Sequence, residues 1–163
     1  MIREILSEKH QRRKFRCESE ALTIYLRAHA LKNDRENLSR THIVVERPGD
    51  TRVMGYMTLA NGAVSPDIIP GSGPPYYSRG TVILARLARD VEFRAAGVGP
   101  FLIAEALSVA GRHADDSGIF AVEIIAKDEK ARAFYQRYGF QPLIDDQLHL
   151  YLPLTAIPDE FRI

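Results

Sequence analysis

The apolar positions change period repeatedly along the chain, and the changes mark out an alternating α/β order. Ile2-Arg3-Glu4-Ile5-Leu6 opens as a short strand. Over 18–33, Leu22, Tyr25, Leu26, His29 and Ala30 recur at helical spacing, and Asn33 and Asn37 suit the turns that follow. THIVVER (41–47) is β-branched and apolar and predicts a strand. After a Gly49-Asp50 turn, VMGYMTLANGAV (53–64) alternates as the returning strand of a hairpin. TVILARLARDVEF (81–93) is the next strand, buried in its first half. A helix follows over 100–113, with Leu102, Ala106 and Val109 and then Ile103, Leu107 and Ala110 stacked at helical spacing. Pro100 fits its first position, where a missing N–H costs nothing. Gly118 leads into IFAVEIIA (119–126), an apolar run of parallel-strand character. Asp128 caps a short helix, KARAFYQRYGF, that stops at Gly139. Two short strands, near 141–144 and 147–152, finish the sheet. The one strong interruption, IIPGSGPPYY (68–77), holds Pro70, Gly71, Gly73, Pro74 and Pro75, and reads as a long loop inside one domain.

Composition narrows the class. The chain has 163 residues, which suggests one domain over 1–163. A chain of roughly this length buries about 68–70% of its unfolded surface, so a sizeable core is available. One Cys excludes a disulfide framework and a Cys-based zinc site. No apolar run approaches the roughly 18–20 residues of a membrane span, and MIREILSEKHQRRKF lacks a signal-peptide stretch. These features point to the cytoplasm. With 22 basic and 21 acidic side chains the net charge is +1, which argues against a wholly basic nucleic-acid binder. The charges are nonetheless clustered. Lys9, Arg12, Arg13, Lys14 and Arg16 form a basic run without an acid, while Asp115-Asp116, Asp128-Glu129, Asp145-Asp146 and Asp159-Glu160 balance them elsewhere. The basic run is either a solvated face or a phosphate-contacting edge.

Two segments carry chemistry. Arg94, Gly97 and Gly99 form R-x-x-G-x-G between a strand and an apolar helix. Glycines let the backbone approach a ligand, and the free N–H groups of a helix start favour an anion such as a pyrophosphate. Two glycines at such a junction are also ordinary turn chemistry, and the spacing is not a dinucleotide fingerprint. Farther on, Ala133-Phe134-Tyr135-Gln136-Arg137-Tyr138-Gly139-Phe140 ends the short helix. Tyr135 suits a core position, but its hydroxyl also suits another use. A phenol with an ordinary pKa of about 10 can protonate a departing thiolate at neutral pH.

The order of segments, with RAAGVG after a buried strand and AFYQRYGF after a later one, resembles the GNAT N-acetyltransferases across nearly the whole chain. Phe15-Arg16-Cys17, Leu22, Tyr25-Leu26-Arg27, Ala30, Asn33, Ser39-Arg40-Thr41, Gly55-Tyr56 and Leu84-Ala85-Arg86-Leu87-Ala88 with Asp90 are similar to a subgroup, the GNAT toxins of type II toxin–antitoxin systems. The chain departs from that subgroup at Arg16, Glu18, Arg89, Ala95-Ala96 and Pro100. The resemblance implies a single-domain GNAT fold, with a central mixed, twisted sheet, flanking helices and splayed strands that hold acetyl-coenzyme A. It implies an acetyl-coenzyme A-dependent N-acetyltransferase that acetylates the α-amino group of aminoacyl-tRNA and blocks translation. A ribbon-helix-helix antitoxin and possible homodimerisation come with it.

The same resemblance implies residue roles. Backbone groups of Leu87, Ala88 and Arg89 bind the pantetheine arm, as an added strand would. Arg94, Ala95, Ala96, Gly97, Val98 and Gly99 hold the pyrophosphate. Tyr135 is the general acid. Lys9, Arg12, Arg13, Lys14, Arg16 and Arg40 contact tRNA, with Arg89 and His10 as further candidates. Asp90 and Glu92 read as surface or loop-capping residues, Asp128 as a helix cap, His113 and His149 as structural, and Cys17 as a small buried residue. A GNAT acting on a small-molecule or protein amine, and a silent coenzyme-binding module, remain the alternatives.

Overall fold

The computed structural model describes residues 1–73 and 77–161. Pro74 and Pro75 of the expected loop lie outside the described residues. The strands are β1 (Ile2–Ile5), β2 (Arg40–Val45), β3 (Gly55–Val64), β4 (Arg79–Arg89), β5 (Ala121–Ile125), β6 (Gln141–Pro142) and β7 (His149–Pro153). The helices are α1 (Glu20–Ile24), α2 (Ala30–Arg35), α3 (Val98–Ser117) and α4 (Glu129–Gln136). The strand order is β1-β2-β3-β4-β5-β7-β6. β4 and β5 pair in parallel, while β1–β2, β2–β3, β5–β7 and β6–β7 are antiparallel, so the sheet is mixed as expected.

The chain forms two compact units, residues 1–60 with 85–106 and residues 61–84 with 107–163, and β3, β4 and α3 run through both. In the first unit, Phe15, Leu26, Ala30, Ile43, Val45 and Tyr56 are fully buried in one cluster. The edge of Phe15 meets Tyr56, with centroids 5.4 Å apart. In the second unit Val64, Ile69, Ala121, Leu143 and Tyr151 form the cluster, and Phe120 stacks on Tyr151 at 6.3 Å.

Several boundaries differ from the sequence expectation, each for a local reason. The helix expected over 18–33 is broken by a π turn, Tyr25–His29, in which the Ala30 N–H bonds Tyr25 O. Ser19 caps α1 by accepting from the Leu22 N–H, a contribution of about 1 kcal/mol. Asn33, expected at a turn, is inside α2; the turn falls at Asn37, where φ is +55°. The strand expected over 81–93 stops at Arg89, because Asp90 accepts from the Glu92 N–H at 2.9 Å and caps a 3₁₀ turn, Val91–Phe93. Gly97, at φ +75°, then lets α3 begin at Val98, which places Pro100 third in the helix. That site is still within the first turn, where N–H groups lack intrahelical acceptors. Asp128 caps α4 from Oδ1 to the Ala131 N–H at 2.8 Å, as the sequence reading expects, and Gly139 follows at φ +93°. Among the described residues, no helix is long and apolar enough to cross a membrane.

Candidate active site

In the first unit, the end of β4 and the loop after it are held by one buried carboxylate. Asp90 is 1% exposed. Its Oδ2 accepts from the Arg16 N–H at 2.9 Å and from Arg52 Nη1 at 3.2 Å. Arg52 also reaches Glu92 at 2.8 Å. Asp90 is therefore a loop cap and not a surface residue. Of the expected coenzyme stretch, Ala88 is buried while Leu87 and Arg89 are half-buried. The Arg89 guanidinium donates to Arg94 O at 2.8 Å, and Arg94 pairs with Glu18 at 3.2 Å.

Residues 94–97 are exposed, which leaves the backbone of this turn open to solvent. One donor is already used: the Ala96 N–H bonds Phe93 O at 3.2 Å. At Gly97 a Cβ would find only Met1 Cε, 4.0 Å away, so glycine is required there by its positive φ and not by crowding. The space beside the turn is open, and the 20-residue α3 points its positive end at it. An open, glycine-containing turn before a long helix fits an anion the size of a diphosphate. Pro100 removes one donor from that helix start.

The basic run divides by contact. Arg16 is brought to the end of β4 by two backbone bonds, its N–H to Asp90 and its carbonyl from the Val91 N–H at 2.9 Å. Phe15 beside it is fully buried and anchors the run. Arg13, Lys14 and Arg16 are exposed and have no ion pair among the described residues. Lys9 instead pairs with Glu4 at 2.6 Å, and Arg12 donates to Arg27 O at 3.1 Å. Arg40 is tied to Asn37 at 3.0 Å, on the turn after α2. His10 is corrected outright. It is 3% exposed, takes the Ser7 N–H on Nδ1 at 3.0 Å and meets Glu4 through Nε2 at 3.2 Å, so it is unavailable to phosphate. Cys17 is half-buried and donates to Ser19 O at 3.1 Å.

In the second unit, Tyr135 stands on α4. Its ring packs edge-on against Phe134 at 5.2 Å and Phe140 at 5.9 Å. Its hydroxyl has no hydrogen-bond partner among the described residues, and burial pushes its pKa up to about 12. The group is thus a protonated phenol at every physiological pH.

His149, in the same unit, has the structural role expected. Nε2 meets Glu123 at 2.6 Å, Nδ1 meets Asp145 at 2.9 Å, and Glu123 also accepts from Thr81 Oγ1 at 2.7 Å. Two ionised carboxylates on both ring nitrogens call for an imidazolium. Burial pulls the His149 pKa down, but hydrogen bonds and charge from Asp145 and Glu123 outweigh it and raise it. A raised folded pKa contributes stability that is fully present below the unfolded value, about 6.5, and is lost as pH rises through the folded value. The melting-temperature gap between wild type and His149→Leu is therefore expected to be widest below pH of about 6.5 and to shrink at higher pH; a gap that grows with pH refutes this account.

Sequence reading passed over one residue of this region as a mere motif letter. Arg86 shares strand parity with the buried Leu84 and Ala88, so a guanidinium sits on a core-facing position of β4. That parity was the available signal.

Comparison with known proteins agrees with the geometry. The family model described as the acetyltransferase (GNAT) family matches residues 1–140. The tRNA-acetylating toxin of Mycobacterium tuberculosis is 33% identical over 136 residues, covering 81% of this chain and 79% of that protein. The structure of AtaT complexed with acetyl-methionyl-tRNAfMet superposes with a TM-score of 0.89 at 28% identity, over 95% of each chain. A mutant AtaT toxin bound to the C-terminus of the antitoxin AtaR and acetyl-CoA gives 0.80 at 28% identity, over 95% of this chain and 94% of that one. An exposed glycine turn leading into a long helix, a mixed sheet in which β4 and β5 run parallel and these matches lead to one family: the chain belongs to the GNAT acetyltransferases and is an N-acetyltransferase.

Proposed function

We propose that this chain is a toxin that acts as a single acetyltransferase domain over residues 1–163 in the cytoplasm. It moves the acetyl group of acetyl-CoA onto the α-amino group of aminoacyl-tRNA and so stops translation. The observation that carries this reading is the pair of backbone bonds at Arg16. They bring an exposed, unpaired basic trio, Arg13, Lys14 and Arg16, to the end of the strand expected to take the coenzyme. The likeness to a tRNA-acetylating toxin and to AtaT with acetyl-methionyl-tRNAfMet supports the acceptor. The likeness to AtaT with AtaR supports an antitoxin partner, which we assign to the ribbon-helix-helix class; a homodimer is part of the same reading.

Acetyl-CoA, when bound, supplies a thioester whose acetyl group passes to an amine and whose sulfur leaves as a thiolate. Backbone groups of Leu87, Ala88 and Arg89 align the pantetheine arm. The N–H groups of the Arg94–Gly99 turn, without that of Ala96, hold the diphosphate. A β4 backbone N–H meets the oxyanion. Tyr135 holds the proton that the departing sulfur takes. An α-amino group has an ordinary pKa of about 7.7–8.0, so its neutral form is available without a strong base. The local carboxylates are otherwise engaged: Asp90 and Asp128 as caps, Glu92 with Arg52. Positioning of the two reactants supplies most of the acceleration, up to about 7–11 kcal/mol.

Mass analysis of aminoacyl-tRNA after incubation with acetyl-CoA tests the acceptor: an N-acetylated aminoacyl end supports the reading. Acetylation of polyamines or protein lysines with tRNA untouched transfers the chain to a small-amine or protein-amine enzyme. Arg13→Glu combined with Lys14→Glu is expected to lower kcat/KM for tRNA about tenfold or more and to reduce its salt slope by roughly 1.4–1.8, at about 0.7–0.9 per phosphate contact. Acetyl-CoA binding should persist. Equal loss of both functions counts against a tRNA-facing edge.

A further inference from the structure

Seven arginines of the described residues are half-buried, and six of them have an acceptor. Arg3 donates to Glu105, Arg12 to Arg27 O, Arg52 to Asp90, Arg79 to Gly73 O, Arg89 to Arg94 O and Arg132 to Gln147. Arg86 is the exception: it has no carboxylate and no hydrogen-bond acceptor among the described residues. None of its nitrogens is both buried and unpartnered, so its N–H groups meet solvent and stand open to an anion.

Arg86 is also held in place. Its guanidinium carbon lies 3.6 Å from the centroid of the Tyr25 ring, a close cation–π contact. Tyr25 is 6% exposed; its hydroxyl is met by Asn33 and Ser39, both at 3.5 Å, and its ring stacks on Tyr56 at 6.3 Å. Tyr56 is fixed in turn by its hydroxyl, which donates to Leu22 O at 2.7 Å. Tyr25 begins the π turn, a feature that recurs at functional sites. A guanidinium whose carbon sits over a fixed ring is anchored there, and its forked N–H groups suit two bonds to a tetrahedral oxyanion. Arg86 lies on β4 immediately before the Leu87–Arg89 stretch. The diphosphate of the coenzyme has its own cradle beyond that stretch, so the anion left for Arg86 belongs to the acceptor. In an aminoacyl-tRNA, the fixed anion nearest the reacting amine is the phosphodiester one ribose away.

We propose that the Arg86 guanidinium, laid on the Tyr25 ring, binds the terminal phosphodiester of the acceptor nucleic acid and thereby places the α-amino group for reaction. This rests on the aminoacyl-tRNA reading above. Arg86 touches the substrate away from the reacting atoms and is a specificity residue.

The test uses two small acceptors that differ in one group: a 3′-aminoacyl-adenosine carrying a 5′-phosphate methyl ester, and the same aminoacyl-adenosine without phosphate. Wild type is expected to favour the phosphate-bearing acceptor by about ten- to a hundredfold in kcat/KM, mainly through KM. Arg86→Gln should abolish the preference, Arg86→Lys should restore part of it, and KM for acetyl-CoA should stay within about twofold in both. Melting temperatures show whether the variants are folded, and the wild-type preference needs no variant. Wild type that acetylates aminoacyl-tRNA without preferring the phosphate-bearing acceptor overturns this proposal alone. So does an Arg86→Gln protein that keeps the preference, or one that loses both acceptors equally or loses acetyl-CoA affinity. Wild type that acetylates no aminoacyl acceptor overturns the functional reading, and this site with it.

Discussion

Tyr135→Phe is expected to lower kcat by about 10²–10⁴-fold, the range for a lost general acid, with KM for both substrates nearly unchanged. The ring packing against Phe134 and Phe140 survives the substitution, and the lost hydroxyl has no partner among the described residues. Stability should therefore hold, which separates a chemical role from a structural one. The pH profile sharpens the test. With its pKa pushed up to about 12 by burial, Tyr135 stays protonated across the working range. The wild-type rate should climb as the acceptor amine loses its proton and then stay level until far into alkali. A falling limb near neutrality would assign the acid to another group. An unchanged kcat in the phenylalanine variant would remove Tyr135 from the mechanism. Growth arrest on expression, relieved by the same substitution, is the cellular counterpart.

The elements with a clean period were legible in the sequence, and so were the segments that chemistry marks with unusual residues. Gly97 and Gly139 were readable as breaks because positive φ is a backbone demand that only a few residues meet. Asp128 was readable as a cap because its partner is three residues away. What could not be read depends on residues far apart in the chain. Asp90 was readable as a surface or loop-capping acid, and it is the cap; its burial was not readable, because the donors are Arg16 and Arg52, 74 and 38 positions away. His10 looked like part of a phosphate-binding run, yet Glu4 and Ser7 close around it. The π turn has no local signal, since YLRAH is an ordinary helical sequence. Arg86 was legible in principle, through strand parity, but parity alone does not reveal that its donors are unspent.

Gly55→Ala is expected to damage both stability and coenzyme affinity, because glycine is imposed there by crowding. A Cβ at Gly55 would lie 2.5 Å from Val98 Cγ1 and 2.9 Å from Ala88 O. The methyl group can shift; the carbonyl belongs to the β4 backbone and cannot move without displacing the strand. Overpacking of this kind costs about 1–3 kcal/mol, or roughly 2–12 °C in melting temperature for a chain of this size. The displaced atoms are also the ones the coenzyme needs. Ala88 is central to the proposed pantetheine stretch, and Val98 opens α3 beside the diphosphate turn. KM for acetyl-CoA should therefore rise in the surviving folded protein, while the acceptor KM follows less. Gly111→Ala is the matched control: nothing lies within 4 Å of its added Cβ, and alanine in the interior of α3 is favoured over glycine by up to about 1 kcal/mol. That variant should melt at or above the wild-type temperature with unchanged kinetics. Equal behaviour of the two variants would mean that β4 tolerates displacement beside Gly55, and that its backbone is not the fixed rail on which the pantetheine arm is aligned.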